Sequence, residues 1–251
     1  MHKVALQDGR YIDILLPGFP GGSPRGFLGW ANIMAFHGKE GITVVDTGQA
    51  GDRPMLLAAL KKLNIDANKV NKVFITHFHF DHINNLDLFP NAVVVMSTKE
   101  WDYARSGLFE SKSDPFVPKS LIPYVATRKL QLVKEGDYLE QGVKIFDLPG
   151  HTPGVAGLLF EADKVFITGD ALKNAHDLYF KEPGMCFDSN ERGVATLEKI
   201  AKIAKVVIPG HDAPFLIRDG EIVVTDHAGV VINHYLDWTK KASTPIQISY
   251  P

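Results

Sequence analysis

The sequence contains a single cysteine and no long apolar run. Cys186 cannot form a disulfide within the chain, which excludes a small disulfide-stapled scaffold and fits a reducing compartment. No apolar stretch approaches the roughly 20 residues that a membrane span needs. Residues 1–19 are interrupted by polar side chains and do not have the pattern of a secretory signal. We therefore expect a cytoplasmic protein that has no membrane contact.

Neither sign of charge is in excess. The 27 Lys and Arg residues nearly balance the 29 Asp and Glu residues, so nothing favours a nucleic acid as partner. The 251 residues are 45% hydrophobic and 22% charged, as in a folded globular protein that buries a sizeable core. No repeat, low-complexity tract or flexible linker divides the chain. We predict one domain over residues 1–251, a monomer or homodimer, with a small-molecule substrate.

Short β-rich runs closed by turn residues alternate with fewer helical patterns. The spacing of apolar residues predicts amphipathic helices over residues 53–63 and 191–204. A final helix is predicted over residues 228–241. Tight links such as residues 161–163 indicate hairpins. The mixture predicts an α+β fold in which two mixed sheets pack face to face with helices outside.

The densest cluster of candidate metal ligands directly follows an apolar strand pattern. Four candidate ligands fall within residues 77–82: His77, His79, Asp81 and His82. In an extended segment the side chains of His77 and His79 project to the same side. A turn into a helix at Asp81 directs the side chains of Asp81 and His82 differently. One loop can therefore serve two neighbouring metal ions. Imidazole and carboxylate ligands suit Zn²⁺ and related first-row ions.

Three further candidates are expected at strand ends. His151, Asp170 and His211 each follow an apolar run and a glycine. A glycine at such a place lets the backbone turn sharply and approach a site closely. Each of these residues is ambiguous alone, but together with the first cluster they indicate one metal centre.

The order H-x-H-x-D-H, then a His in H-T-P-G, then G-D, then G-H resembles the metallo-β-lactamase superfamily over about residues 28–215. The resemblance implies a four-layer αββα sandwich with the metals at one edge. It implies that one ion is bound by His77, His79 and His151, the other by Asp81, His82 and His211, and that Asp170 bridges both. Asp46 matches an early strand-end aspartate of the family, which would hold a ligand histidine in one tautomer or brace the ligand loop.

The same resemblance implies binuclear hydrolysis of an ester-type bond by metal-bound hydroxide. Asp81 and Asp170 would be the catalytic carboxylates, with Asp81 orienting the hydroxide and helping to move a proton. Two divalent ions per chain are expected. Zn²⁺ is the first choice, and Fe, Mn, Co and Ni fit the same nitrogen and oxygen ligands.

The chain length, H-x-H-F-D-H and P-G-H-D are similar to the lactonase branch, which includes acyl-homoserine lactonases, and this favours a lactone as substrate. That branch has a tyrosine three residues after the bridging aspartate, where this chain has Lys173; Tyr179 is a candidate replacement. A glyoxalase-II-type thioesterase is the alternative hydrolase. A di-iron redox protein and a non-catalytic metal-binding protein are the alternatives of another class.

Two stretches are candidate pocket walls, residues 17–30 and 106–123, because both are rich in turn-forming residues. They contain Phe27, Trp30 and Phe116, which would suit an acyl or other apolar group.

Overall fold

The computed structural model describes residues 3–224, 230–234, 239 and 244–248. Its first sheet has seven strands in the order β1-β2-β5-β6-β7-β8-β9, and β3 and β4 pair only with each other. In chain order these strands are β1 (Lys3–Ala5), β2 (Tyr11–Leu16), β3 (Gly22–Ser23), β4 (Gly26–Phe27), β5 (Ile33–Gly38), β6 (Gly41–Val45), β7 (Val70–Ile75), β8 (Val93–Ser97) and β9 (Leu130–Val133).

The second sheet also has seven strands, and it follows chain order throughout. Its strands are β10 (Tyr138–Glu140), β11 (Val143–Asp147), β12 (Ala156–Phe160), β13 (Val165–Gly169), β14 (Val206–Pro209), β15 (Phe215–Arg218) and β16 (Glu221–Val224). Parallel pairing is confined to β6-β7-β8-β9 in the first sheet and to β13-β14 in the second, so both sheets are mixed as predicted.

Seven α-helices complete the described fold: α1 (Arg53–Lys62), α2 (Phe80–Ile83), α3 (Thr98–Arg105), α4 (Leu108–Ser111), α5 (Leu121–Ala126), α6 (Ala175–Phe180) and α7 (Asn190–Ile203). Helices α1 and α7 confirm the two amphipathic patterns to within one residue at each end. No helix within the described ranges has the length and apolarity that crossing a membrane requires.

Within the described residues the hydrophobic core has three clusters, which define four layers. Phe74 and Ile167 lie between the two sheets. Val73 and Ile75, on the opposite face of β7, pack with α1 and α3. Phe166, on the opposite face of β13, packs with α7. Successive side chains of a strand point to opposite faces, so each of these buried strands packs against the other sheet on one face and against helices on the other. The result is the predicted αββα sandwich.

The predicted helix over residues 228–241 is wrong where the structure describes it. Strand β17 (Val230–His234) pairs antiparallel with β18 (Thr244–Ile248), and the other predicted positions, apart from Thr239, lie outside the described residues. Val230, Val231 and Ile232 are β-branched, a residue type that loses side-chain freedom in a helix and fits a strand.

Candidate metal centre

The ligand loop, residues 76–82, connects β7 to α2. His77 lies in a bend directly after β7, His79 has an extended backbone, and the chain enters α2 at Phe80, so that Asp81 and His82 sit in the first turn of a helix. All four candidate ligands are buried. The turn into a helix predicted at Asp81 is therefore present one residue earlier.

The remaining candidates come from the second sheet. His151 follows β11, and Asp170 and His211 follow the parallel strands β13 and β14. A Cβ atom on Gly210 would collide with the Asp170 carboxylate, and Gly169 has a φ of +51°. Glycine is thus required at position 210 for the close approach and at position 169 for the left-handed backbone.

The seven predicted ligands come together in one buried cluster. Three groups have their ligand atoms within 4.8 Å of one another, and one of them, His77, His82 and Asp170, joins members of the other two. The first ligand set consists of His77, His79 and His151, and the second ligand set consists of Asp81, His82 and His211.

Asp170 lies between the two sets. Its Oδ1 atom is 3.2 Å from His82 Nε2 and 3.0 Å from His211 Nε2. Its Oδ2 atom is 3.5 Å from His151 Nε2 and 4.0 Å from His77 Nε2. One carboxylate therefore has oxygen atoms near nitrogens of both sets.

Three of the candidate histidines form a hydrogen bond to a protein acceptor through the ring nitrogen that faces away from the cluster. Asp46 lies 2.7 Å from His82 Nδ1, and the Met185 carbonyl lies 2.6 Å from His151 Nδ1. The Asp114 carboxylate lies 2.8 Å from His79 Nε2. A carbonyl or ionised carboxylate only accepts, so each imidazole donates there and keeps its lone pair on the nitrogen that faces the cluster.

Asp46 also reaches His77 through Thr76. The Thr76 hydroxyl donates to Asp46 Oδ2 over 2.8 Å and lies 3.1 Å from His77 Nδ1, from which it can accept. The Thr76 backbone N–H donates to Asp46 Oδ1. Asp46 therefore contacts both a histidine and the ligand loop, the two kinds of contact expected of it.

The donor set fits divalent metal ions. His77 Nε2 is buried and has no hydrogen-bond partner among the described residues, and His82 Nε2 forms none in spite of its short distance to Asp170. A buried nitrogen lone pair without a partner is costly unless another group binds it. Neutral imidazoles around carboxylates are the ligand chemistry of Zn²⁺ and related ions.

The surroundings of several candidate ligands shift their pKa values towards the protonation state that binds a metal ion. Burial and a neighbouring imidazole hold the pKa of His77 well below its ordinary value, and burial and the Lys173 ammonium do the same to the pKa of His151. Burial raises the pKa of Asp170, but surrounding positive groups, His211 first, outweigh it and hold that pKa well below the usual range. These shifts favour neutral imidazoles at His77 and His151 and an ionised carboxylate at Asp170, whereas the Asp170 and Asp46 carboxylates outweigh burial and raise the pKa of His82 well above its ordinary value.

A cleft, here called the site cleft, opens beside this cluster. Apart from the candidate ligands, it is lined by Phe27, Phe80, Phe116, Lys173 and Met185. The Lys173 ammonium contacts the Asp170 carboxylate and lies 5.8 Å from the centre of the Phe27 ring. The cleft thus combines apolar walls with one cation next to Asp170.

Two of the predicted pocket residues lie elsewhere. Tyr179 is 72% exposed on α6 and does not line the site cleft. Trp30 donates its indole N–H to the Pro17 carbonyl over 3.1 Å and packs on Phe19, outside the cleft. Phe27, Phe116 and Lys173 line the cleft.

Sequence reasoning missed Asp114, Glu100 and Phe187. The buried Glu100 carboxylate accepts the Phe78 N–H of the ligand loop and the Thr152 hydroxyl next to His151. The ring of Phe187 lies 5.7 Å from His79 and 6.0 Å from His151. No local pattern marks these residues, because each is distant in sequence from the residues it contacts at the site.

The loop that carries His211 is tied to the first sheet by Asn32. The Asn32 side-chain amide donates to the Pro209 and Asp212 carbonyls, each over 2.7 Å. The Asn32 backbone N–H donates to the Gly210 carbonyl over the same distance. These contacts join residues 177 and 180 positions apart in the chain.

The sequence matches the family model described as Metallo-beta-lactamase superfamily over residues 27–229. Metallo-beta-lactamase domain-containing protein 1 of Mus musculus is 31% identical over 224 residues, which cover 84% of this chain and 76% of the mouse protein. An N-acyl homoserine lactonase of Bacillus sp is 26% identical over 161 residues, which cover 61% of this chain and 60% of the lactonase.

Solved structures show the same fold. A quorum-quenching N-acyl homoserine lactone lactonase superposes with a TM-score of 0.62 at 18% identity, covering 80% of this chain and 88% of the lactonase. A metallo-beta-lactamase family protein from Thermus thermophilus gives a TM-score of 0.54 at 22% identity, covering 81% and 74% of the two chains. At these identities the likeness concerns the fold alone.

Proposed function

Because the chain belongs to the metallo-β-lactamase superfamily and is a metal-dependent hydrolase, we propose that it is a binuclear enzyme that opens an ester-type bond, preferably that of a lactone. The position of Asp170 carries this proposal. Its two carboxylate oxygens lie near nitrogens of both ligand sets, an arrangement that suits a residue shared by two ions.

In this proposal each ligand set would hold one divalent ion, and Asp170 would be a ligand shared by the two sets. Bound ions of this kind supply Lewis acidity and lower the pKa of water, so that hydrolysis proceeds near neutral pH. The all-nitrogen-and-oxygen donor set favours Zn²⁺, and Fe, Mn, Co and Ni suit the same donors.

The protein's own groups then supply positioning and proton transfer. Asp81 lines the site cleft, 3.5 Å from His211 Nε2, where its carboxylate can take a proton from the attacking water and pass it to the leaving oxygen. Lys173 has an ammonium group in the same cleft, available to donate a hydrogen bond to a substrate carbonyl or carboxylate. Phe27 and Phe116 exclude water from the bond that breaks.

The lining of the cleft, not its volume of about 20 Å³, favours a lactone with an attached apolar group. Its phenylalanine walls suit an acyl chain, and the Lys173 ammonium suits the carbonyl and the carboxylate product of ring opening. The relative that is an N-acyl homoserine lactonase supports the same choice. A thioester has the same carbonyl and apolar part, so it remains the competing substrate.

The test combines metal analysis with a substrate panel. Plasma mass spectrometry of the purified protein should find about two metal ions per chain, as expected for a two-metal site. Lactones, thioesters and a chromogenic β-lactam are then compared with and without a chelator. Chelator-sensitive cleavage of lactones supports the proposal, whereas preferential thioester cleavage replaces the lactone with the alternative substrate.

Variants connect the activity to the cluster. His79→Ala and Asp170→Asn should lower metal content and hydrolysis together, whereas the matched control His37→Ala, at an exposed histidine of β5, should change neither. Full activity and metal content in the first two variants would refute the proposed centre.

A further inference from the structure

Asp114 is a buried carboxylate in the loop between α4 and α5, and three donors surround it. His79 Nε2 lies 2.8 Å and the Tyr103 hydroxyl 2.9 Å from its Oδ2 atom. The backbone N–H of Phe116 donates to its Oδ1 atom over 3.0 Å. Nothing in the sequence motifs or in the expected ligand sets accounts for this residue.

The contact with Asp114 determines which nitrogen of His79 faces the first ligand set. Since the carboxylate accepts at Nε2, the lone pair of His79 is on Nδ1, which lies 3.0 Å from His151 Nε2. His77 and His151 instead direct Nε2 towards Asp170. His79 is therefore the member of the first ligand set that must hold the opposite tautomer.

The surroundings of Asp114 keep it an acceptor. Its Oδ2 atom accepts from His79 and from the Tyr103 hydroxyl and its Oδ1 atom accepts from the Phe116 N–H, so the carboxylate is the acceptor in all three contacts. Burial, with the adjacent Asp114 charge, raises the pKa of Tyr103, so that this phenol stays a donor.

The same loop also forms part of the site cleft. The Phe116 carbonyl accepts the N–H of Phe80 in α2 over 3.0 Å, and the Phe116 ring lies 5.6 Å from His79. Asp114 and Phe116 thus attach the cleft wall to the ligand loop at two points, one through a side chain and one through the backbone.

We propose that Asp114, oriented by Tyr103, is a positioning residue that fixes His79 with Nδ1 towards the first ligand set and aligns the Phe116 wall with it. The proposal rests on the binuclear function proposed above. It assigns Asp114 to the first ligand set, whereas Asp46 contacts His82 of the second set directly and His77 through Thr76.

The test uses Asp114→Asn, in which the amide is a weaker acceptor and also presents a donor. Tyr103→Phe removes one of the supporting donors. The matched control is Asp102→Asn, because Asp102 lies on the same helix as Tyr103 and pairs with Arg105 at the surface. Metal affinity is measured for Zn²⁺ and Co²⁺ by competition with a chromophoric chelator.

The expected result is selective. Asp114→Asn should weaken one of the two metal-binding steps roughly 10- to 100-fold, the usual effect of removing a partner that orients a ligand, and leave the other within about 2-fold. Tyr103→Phe should give a smaller loss in the same step, and Asp102→Asn none. The Co²⁺ absorption spectrum should change for one ion alone.

A second readout reports the tautomer directly. Long-range ¹H–¹⁵N spectra of the Zn²⁺-loaded protein should show His79 protonated at Nε2, and this signal should shift in Asp114→Asn. Unchanged affinities and an unchanged His79 signal would overturn the proposal. So would equal weakening of both binding steps in proportion to a loss of stability in urea, which indicates a general packing role.

The outcome is separable from that of the proposed function. If the wild-type protein cleaves no ester-type substrate but Asp114→Asn still loses one metal-binding step selectively, the function fails and the positioning role stands. If the wild-type protein cleaves lactones and Asp114→Asn binds both ions normally, the positioning role fails and the function stands.

Discussion

Lys173 differs from the tyrosine that the lactonase resemblance implies at this position. Its ammonium contacts Asp170 and lies over the Phe27 ring, inside the site cleft. We expect Lys173→Met to lower kcat/KM for the preferred substrate on the order of 10²-fold, the scale of losing one donor to developing negative charge. Metal content should not change. Lys202→Met, at an exposed lysine, is the control, and a normal kcat/KM in Lys173→Met would place Lys173 outside the reaction.

Glu100 connects the two loops that carry the first ligand set. It accepts the Phe78 N–H over 2.8 Å and the Thr152 hydroxyl over 2.6 Å. A glutamine has one acceptor oxygen fewer, so Glu100→Gln should leave one buried donor without a partner and lower the free energy of unfolding by about 1–3 kcal/mol. Urea unfolding measures this. Glu110→Gln, at an exposed position, should stay within about 0.5 kcal/mol; an equal loss there would contradict the assignment.

Cys186 should be unreactive near neutral pH. Burial raises the pKa of its thiol to about 11, so the thiolate is scarce well below that pH. Because the folded pKa lies above that of an unfolded thiol, the folded state binds its proton more tightly, and reactivity should rise only as the pH approaches 11. Rates with a chromogenic disulfide across pH, in native and urea-unfolded protein, test this; equal rates at pH 8 would disprove it.

At the residue scale, the sequence identifies candidate metal ligands that lie close together in the chain or that follow a glycine. His77, His79 and His82 could be recognised because they are close together in the chain. Asp114 and Glu100 could not, because an isolated carboxylate has no local signature, and Asp114 is 35 positions from the histidine it contacts. Only the fold brings these pairs together.

At the scale of elements, the turn after β11 packs against the start of α3. A Cβ atom at Gly154 would overlap the Glu100 backbone, with the Glu100 Cα only 2.5 Å away. Gly154→Ala should therefore lower the free energy of unfolding by roughly 1–3 kcal/mol through overpacking, measured in urea. Gly51 has open space around it, so Gly51→Ala should have little effect; similar values for both variants would contradict the steric argument.

The spacing of apolar residues predicted α1 and α7 because each helix buries one apolar stripe. The helix that the same spacing predicted over residues 228–241 is wrong where the structure describes those residues. There the apolar spacing is helical, while Val230 and Val231 favour a strand. Pairing with β18 selects the strand, and a local pattern contains no information about that partner, whose residues lie ten to eighteen positions later in the chain. The pattern of strands and helices predicted two mixed sheets packed face to face with helices outside, and the motif resemblance added the metal positions at one edge.

At the scale of the whole molecule, the candidate ligands join the two sheets. The ligand loop follows β7 of the first sheet, and His151, Asp170 and His211 follow strands of the second. Metal bound by both groups stabilises the folded state by mass action, by about 4 kcal/mol at a thousandfold excess over Kd. Chelation should therefore lower the thermal midpoint on the order of 10 °C.

Calorimetry with and without a chelator checks this expectation. Asp170→Asn should show a much smaller chelator effect than the wild-type protein, because its carboxylate lies between both ligand sets. A midpoint that does not respond to chelator in the wild-type protein would show that the cluster does not bind metal tightly.

The contacts of Asn32 have a consequence for biosynthesis. Asn32 leaves the ribosome before its carbonyl partners, Pro209 and Asp212, which emerge about 180 positions later. Closing so long a loop is slow and requires the intervening chain to be largely organised. His211 is thus brought to the cluster late, and a nascent chain offers metal an incomplete set of ligands until the last strands of the second sheet are in place.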